Sequence, residues 1–193
     1  MSASGNIAPV IGFQRRTGQF VKSLGSSGDA PSAIVVQADG KILVAGDNGY
    51  NFLLMRLTSD GSLDPSFNKV GTLDLQAGNL YNNAYSVLVQ PDNKIVVAGS
   101  SNDGYGIQDF SLVRLNSDGS LDSSFGTGGK LLQPVGQGYD HARGVALLPN
   151  GKLIVAGYSH FRYTEIGDIS LVRLNDNGSL DTSFGSGGKV IVP

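Results

Sequence analysis

The 193 residues predict an all-β fold of repeated four-stranded antiparallel sheets, about three to the chain. Three observations carry the prediction. One segment occurs three times: Gln37-Ala-Asp-Gly-Lys-Ile-Leu-Val-Ala-Gly46, Gln90-Pro-Asp-Asn-Lys-Ile-Val-Val-Ala-Gly99 and Leu148-Pro-Asn-Gly-Lys-Leu-Ile-Val-Ala-Gly157. Each copy leads into an apolar block with Arg56, Arg114 or Arg173, then Gly-Ser-Leu-Asp ending at Asp64, Asp122 or Asp181, then Phe67, Phe125 or Phe184. Short β-branched runs flank Asp-Gly or Asn-Gly turns, the strongest local hairpin signal, and no segment holds a helical period.

Within a unit the first strand follows a glycine: residues 19–24, 72–75 and 130–133. The second covers 33–37, 86–90 and 144–148. Asp39-Gly40, Asp92-Asn93 and Asn150-Gly151 then form a tight turn, expected as type I′ with positive φ at both central residues. The third strand is the Val-Ala-Gly run. In the fourth, Phe110, Leu112 and Arg114 alternate with Ser111, Val113 and Leu115, which puts them on opposite faces. After Asp64, Asp122 and Asp181 one helical turn capped by that Asp is expected.

Copy length varies in one place. Gly46, Gly99 and Gly157 stand 53 and 58 residues apart, and the extra residues fall between the Val-Ala-Gly run and the next apolar block. Tolerated insertions mark an exposed loop between fixed elements. Four antiparallel strands in a unit of this size make a β-propeller blade. The predicted division is a lead-in at 1–17, blades at 18–67, 71–125 and 129–184, and the first strand of a further or exchanged blade at 188–193.

The cycle Gln-x-Asp-Gly-Lys-Ile-x-Val-Ala-Gly, then Phe-x-Leu-x-Arg-Leu-x-x-Asp-Gly-Ser-Leu-Asp-x-Ser-Phe-Gly, resembles the delta-60 repeat of bacterial proteins. Residues 110–126 fit it almost letter by letter, and the resemblance covers about 18–193. The first copy departs where Asn68-Lys-Val stands in place of Gly126-Thr-Gly. The resemblance implies propeller-like blades and a setting in large secreted or surface-attached proteins, hence an extracellular or cell-surface location, with no specific activity. The start, Met1-Ser-Ala-Ser-Gly-Asn6, has neither a basic nor an apolar leader region.

Propellers close with about four to eight blades, so three and a fraction leave two apolar sheet faces open. The expected remedies are a homodimer closing a six-bladed ring, or further repeats in a longer parent chain. Sixteen Asp and Glu against 14 Lys and Arg give no footprint for nucleic acid. The apolar runs are too short to insert in a membrane as helices. Cysteine is absent, so disulfides and thiol chemistry are excluded.

In an up-and-down meander, connections alternate between the two ends of the strands. One end carries the copied turns. The other collects the dissimilar loops, near 25–31, 47–51, 78–85, 100–109, 136–143 and 158–168. Tyr50, Tyr81, Tyr85, Tyr105, Tyr139, Tyr158 and Tyr163 all fall there, with His141, His160, Phe161, Arg143 and Arg162. Tyr offers a large contact area at low entropic cost, and rings beside Asn and Asp suit sugars. The expected function is a non-enzymatic binding or adhesion module taking a glycan or protein ligand. One alternative is a passive structural segment of a larger protein. Another is a hydrolase or lyase using Asp140, His141 and His160, with Asp168 or Glu165 as a third metal ligand in a variant of that reading.

No phosphate loop, dinucleotide fingerprint or nucleophile elbow occurs, and no cofactor or metal is expected. The run from Asn116 to Asp122 lacks the carboxylates of a calcium loop and reads as a turn. Arg56, Arg114 and Arg173 share a strand face with apolar neighbours and need a partner. Asp64, Asp122 and Asp181 provide one structural ion pair per unit. Lys41, Lys94 and Lys152 follow tight turns and are expected in solvent.

Overall fold

The computed structural model describes residues 28–102, 104–161 and 167–193. These residues form twelve strands and no helix. The first sheet is β1 (Ala30–Val36), β2 (Ile42–Asp47), β3 (Phe52–Leu57) and β4 (Thr72–Leu75). The second is β5 (Asn83–Val89), β6 (Ile95–Asn102), β7 (Gln108–Leu115) and β8 (Lys130–Gln133). The third is β9 (Tyr139–Leu147), β10 (Leu153–His160), β11 (Asp168–Leu174) and β12 (Lys189–Val192). In each sheet consecutive strands pair antiparallel in chain order.

The boundaries differ from those expected at 18–67, 71–125 and 129–184. The strand after Phe67 does not open a unit; it closes one, with Met55 opposite Thr72 and Phe52 opposite Leu75. Residues 130–133 and 189–192 close the second and third sheets in the same way, so 188–193 is not the start of a further blade. The link forces this. The Gly71 amide donates to the Phe67 carbonyl and the Arg56 amide to the Gly71 carbonyl, which folds the chain back onto the strand it has just left. Consecutive antiparallel strands joined in this way are neighbours. The expected strand at 19–24 and the lead-in at 1–17 lie outside the described residues.

The hairpin turns also differ from expectation. The Gly40 amide donates to Gln37 and the Gln37 amide to the Lys41 carbonyl, and the other two hairpins repeat the pattern. Only Gly40, Asn93 and Gly151 take positive φ. This is a type I turn closed by a left-handed residue, with Asp39, Asp92 or Asn150 accepting from the lysine amide two residues on. After Asp64, Asp122 and Asp181 the chain makes a tight turn, not a helical one.

Two cores lie between the three sheets. Phe52, Leu54, Leu43 and Ala45 of the first sheet meet Ile95, Val97, Val113 and Leu115 of the second. The opposite face of the second sheet, with Phe110, Leu112, Val96 and Ala98, meets Leu153, Val155, Val172 and Leu174 of the third. Strand β5 lies against β1–β3 and β9 against β5–β7, so β1, β5 and β9 form one row of neighbouring strands.

The glycine ending each Val-Ala-Gly run is fixed by a bulge on that row. Ser32, Tyr85 and Arg143 are extra residues in β1, β5 and β9. The bulged backbone crowds the next strand: a Cβ on Gly99 would lie 1.9 Å from the Asn83 carbonyl oxygen, and one on Gly157 1.9 Å from that of His141. Only glycine fits there.

Candidate functional site

The β2–β3 loop and the β4–β5 connection emerge at one end and interlock, with the Asn82 amide donating to the Tyr50 carbonyl. The same connection reaches the second sheet through the Asn79 amide, which donates to the Asn102 carbonyl at the end of β6. The hairpin turns and the β3–β4 links lie at the other end.

The link end is a repeated ionic cluster. Arg56 Nε lies 2.7 Å from Asp64 Oδ2, Arg114 Nε 2.7 Å from Asp122 and Arg173 Nε 2.6 Å from Asp181. Each guanidinium also sits over a phenylalanine ring, 4.9, 4.8 and 4.6 Å from the centroids of Phe67, Phe125 and Phe184. The lysines are not free in solvent: Lys41, Lys94 and Lys152 reach the same carboxylates at 3.3, 3.3 and 2.7 Å. The third member of each cluster escaped the sequence reading because the hairpin brings it across from a different strand. Burial works to raise the Asp64 and Asp122 carboxyls. Hydrogen bonds from Ser66 and Ser124 and from the lysines outweigh it and hold both well below the usual carboxylate range. Asp181 is held low first by Lys152 and then by Ser183. The run from Asn116 to Asp122 spends its polar groups internally, with Asp118 accepting from the Ser120 amide and hydroxyl.

The loop end carries the aromatic residues. Tyr50 and Tyr81 stack with centroids 6.2 Å apart, each more than half exposed, and Tyr105 is almost fully exposed. A second group joins β9 and β10. The rings of Tyr139 and His160 stack at 5.5 Å, His141 lies 4.9 Å from Tyr158 and 5.7 Å from His160. The bulge residue Arg143 places its guanidinium 3.9 Å over Tyr85, itself the bulge residue of β5, and donates to the Tyr158 hydroxyl at 2.9 Å. Tyr85 and Arg143, the extra residues of the bulges in the second and third sheets, thus meet each other. Nothing in the repeat pattern marks a bulge; only the pairing register reveals it. Tyr163, Arg162 and Glu165 lie outside the described residues.

Asp140 does not join the histidines. It is fully buried, on the opposite face of β9 from His141, and accepts the amides of Val135 and Gly136. It pins the β8–β9 connection. His141 is pushed down to about 4 by burial, then by the charges of Arg143 and His160, so it is neutral at pH 7. Its Nδ1 lies 3.3 Å from Ser100 Oγ on the second sheet. Among the described residues no three His, Asp or Glu side chains gather as a metal site.

Residues 37–67, 90–125 and 148–184, more than half of the chain, match a family model described as "Domain of unknown function (DUF5122) beta-propeller". The chain belongs to this β-propeller family. No curated protein matches it. Among solved structures, a protein of unknown function from Bacteroides caccae is similar at 14% identity and a TM-score of 0.43. The match covers 78% of this chain and 58% of that one. In this DUF5122 chain the matched segments run from each hairpin turn to the link phenylalanine, so they include every member of the ionic clusters. They leave out Tyr81, Tyr85, Tyr139 and the β9 histidine.

Proposed function

We propose that this propeller-family chain is a non-enzymatic binding module whose loop end takes a glycan, presented by three delta-60-type blades at a bacterial surface or outside the cell. The carrying observation is the pair of aromatic groups, Tyr50–Tyr81 and Tyr139–His160–His141–Tyr158, at one end of otherwise uniform sheets. Flat rings with exposed faces receive the apolar face of a pyranose, and the Arg143 guanidinium and neighbouring Asn side chains offer donors to its hydroxyls. The buried Asp140 and its amide partners argue against the acid–base reading, since that carboxylate is already committed to the backbone.

Glycan-array binding followed by calorimetry tests the proposal. The wild-type chain binds a defined glycan class, and Tyr50→Ala with Tyr81→Ala lowers affinity at least tenfold without moving the melting temperature. Binding of a protein with no glycan response overturns the glycan reading. Unchanged affinity in the double variant and in Tyr158→Ala overturns the loop-end site.

A further inference from the structure

We propose that the open face of the third sheet docks onto the open face of the first sheet of a second copy, twice over, so that two chains close one six-bladed ring. The two seams inside the chain are the template. Across each, the phenylalanine of one link packs on the glycine of the next: a Cβ on Gly119 would lie 2.9 Å from the Phe67 ring, and one on Gly178 3.0 Å from that of Phe125. The arginine of one sheet also donates to a carbonyl of the next link, Arg56 Nη1 to Ser117 and Arg114 Nη1 to Asp176 at 2.6 Å. Asn68 and Gly126 donate their amides to Asp118 and Asn177.

At the third sheet every one of these groups is waiting. Among the described residues Arg173 has Asp181 and Ser183 but no carbonyl for Nη1, and its side chain is 25% exposed against 4% for Arg56 and 1% for Arg114. Phe184 is only half-buried, where Phe67 and Phe125 are fully buried. Ile169 is 59% exposed, whereas Phe52 and Phe110 at the corresponding position are sealed in the cores. The first sheet offers the matching half. Its Ile34 and Val36 are more than 60% exposed, and their counterparts Val87 and Val89 pack in the first core, Val145 and Leu147 in the second. Gly61, the counterpart of Gly119 and Gly178, has nothing within 4 Å of where a Cβ would stand. Docking places Phe184 on Gly61 and Arg173 Nη1 on the Ser59 carbonyl of the second copy.

The two faces differ from each other, so the contact is head-to-tail, and two such contacts close a two-fold ring. Tyr158 and His160 lie on the same face of β10 as Ile154, so the second copy also walls one side of the aromatic group.

Sedimentation equilibrium at micromolar concentration is the test. The wild-type chain should sediment at twice the 20.1 kDa of one chain. Ile169→Asp and Ile34→Asp, both at exposed positions, should each sediment as monomers that keep the β-sheet circular-dichroism spectrum and a cooperative melt. Mixed together they should recover dimer, because one contact unites the unaltered face of each. A wild-type monomer, whatever then covers the faces, overturns the proposal, as does a mass of three or more copies. A dimer that survives both single variants also overturns it. So does a mixture with no recovery, which would mean that like faces pair.

Discussion

Where the third strand of each sheet leads into the fourth, all three sheets carry the same Arg, Asp and Ser at the same spacing, met by a Lys from the hairpin; at the opposite end no two sheets carry the same loop. Both ends emerge from the same twelve strands, so the backbone does not impose the difference. At the link end the Arg56 and Arg114 guanidinium groups are desolvated against phenylalanine rings, and a charge in that position must keep every partner. At the loop end the aromatic side chains touch solvent and one another, and exchange of one for another leaves the strands in place.

The largest effect that would break this comparison lies in the seams. Phe125→Ala removes a fully buried ring packed on Gly178 and under Arg114, and should cost about 3–5 kcal/mol by urea unfolding. Tyr105→Ala at the loop end should move the same measurement by less than about 0.5 kcal/mol. Equal losses would mean that the loops hold the sheets together.

Arg114→Met against Arg173→Met sharpens the comparison inside the link end. Arg114 is buried and reaches both Asp122 and the next link; removing it leaves a carboxylate that Lys94 meets at 3.3 Å. The expected loss is about 3 kcal/mol. Arg173 is partly exposed, and Lys152 already holds Asp181 at 2.7 Å, so the same substitution should cost the monomer about 1 kcal/mol or less. Comparable losses in a monomeric background would contradict the desolvation argument.

The partners in this cluster were legible before any coordinates. An arginine on an apolar strand face, followed eight residues later by an aspartate in every copy, needs that aspartate. The meander and the gathering of dissimilar loops were equally readable, because strand alternation and turn chemistry are local. Sheet membership was not. Residues 72–75 carry the same alternation whichever neighbour they pair with, and only the folded link decides between them. Tyr85 and Arg143 as bulge residues, and Lys94 as a third ion, depend on register across strands, which no run of residues records.

Acid should separate the two ends next. Asp64, Asp122 and Asp181 have folded pKa values held below their unfolded values, so the stability they confer is complete above pH ~4 and is lost as pH falls through the folded range. Melting temperature should therefore drop steadily from pH 4 to pH 2. Asp122→Asn, which no longer ionises, should lower the melt at pH 7 and flatten that slope. An unchanged slope in the variant would assign the acid sensitivity to other groups.

The smallest effect is at the loop end and concerns one ring. His141 is held neutral by burial and by Arg143 and His160, with its pKa pushed down to about 4. The unfolded chain takes up a proton near pH 6.5 that the folded chain refuses until about 4, so this residue's contribution is present above pH 6.5 and lost as pH falls across that window. Proton NMR of the imidazole should place its midpoint near 4. Arg143→Ala removes a neighbouring cation and opens the ring to water through the lost Tyr85 and Tyr158 contacts, so the midpoint should rise toward the ordinary histidine value. A His141 midpoint that stays near 4 in that variant would mean that packing against the second sheet, at Ser100, keeps the ring neutral, and that the bulge residues play no part in tuning it.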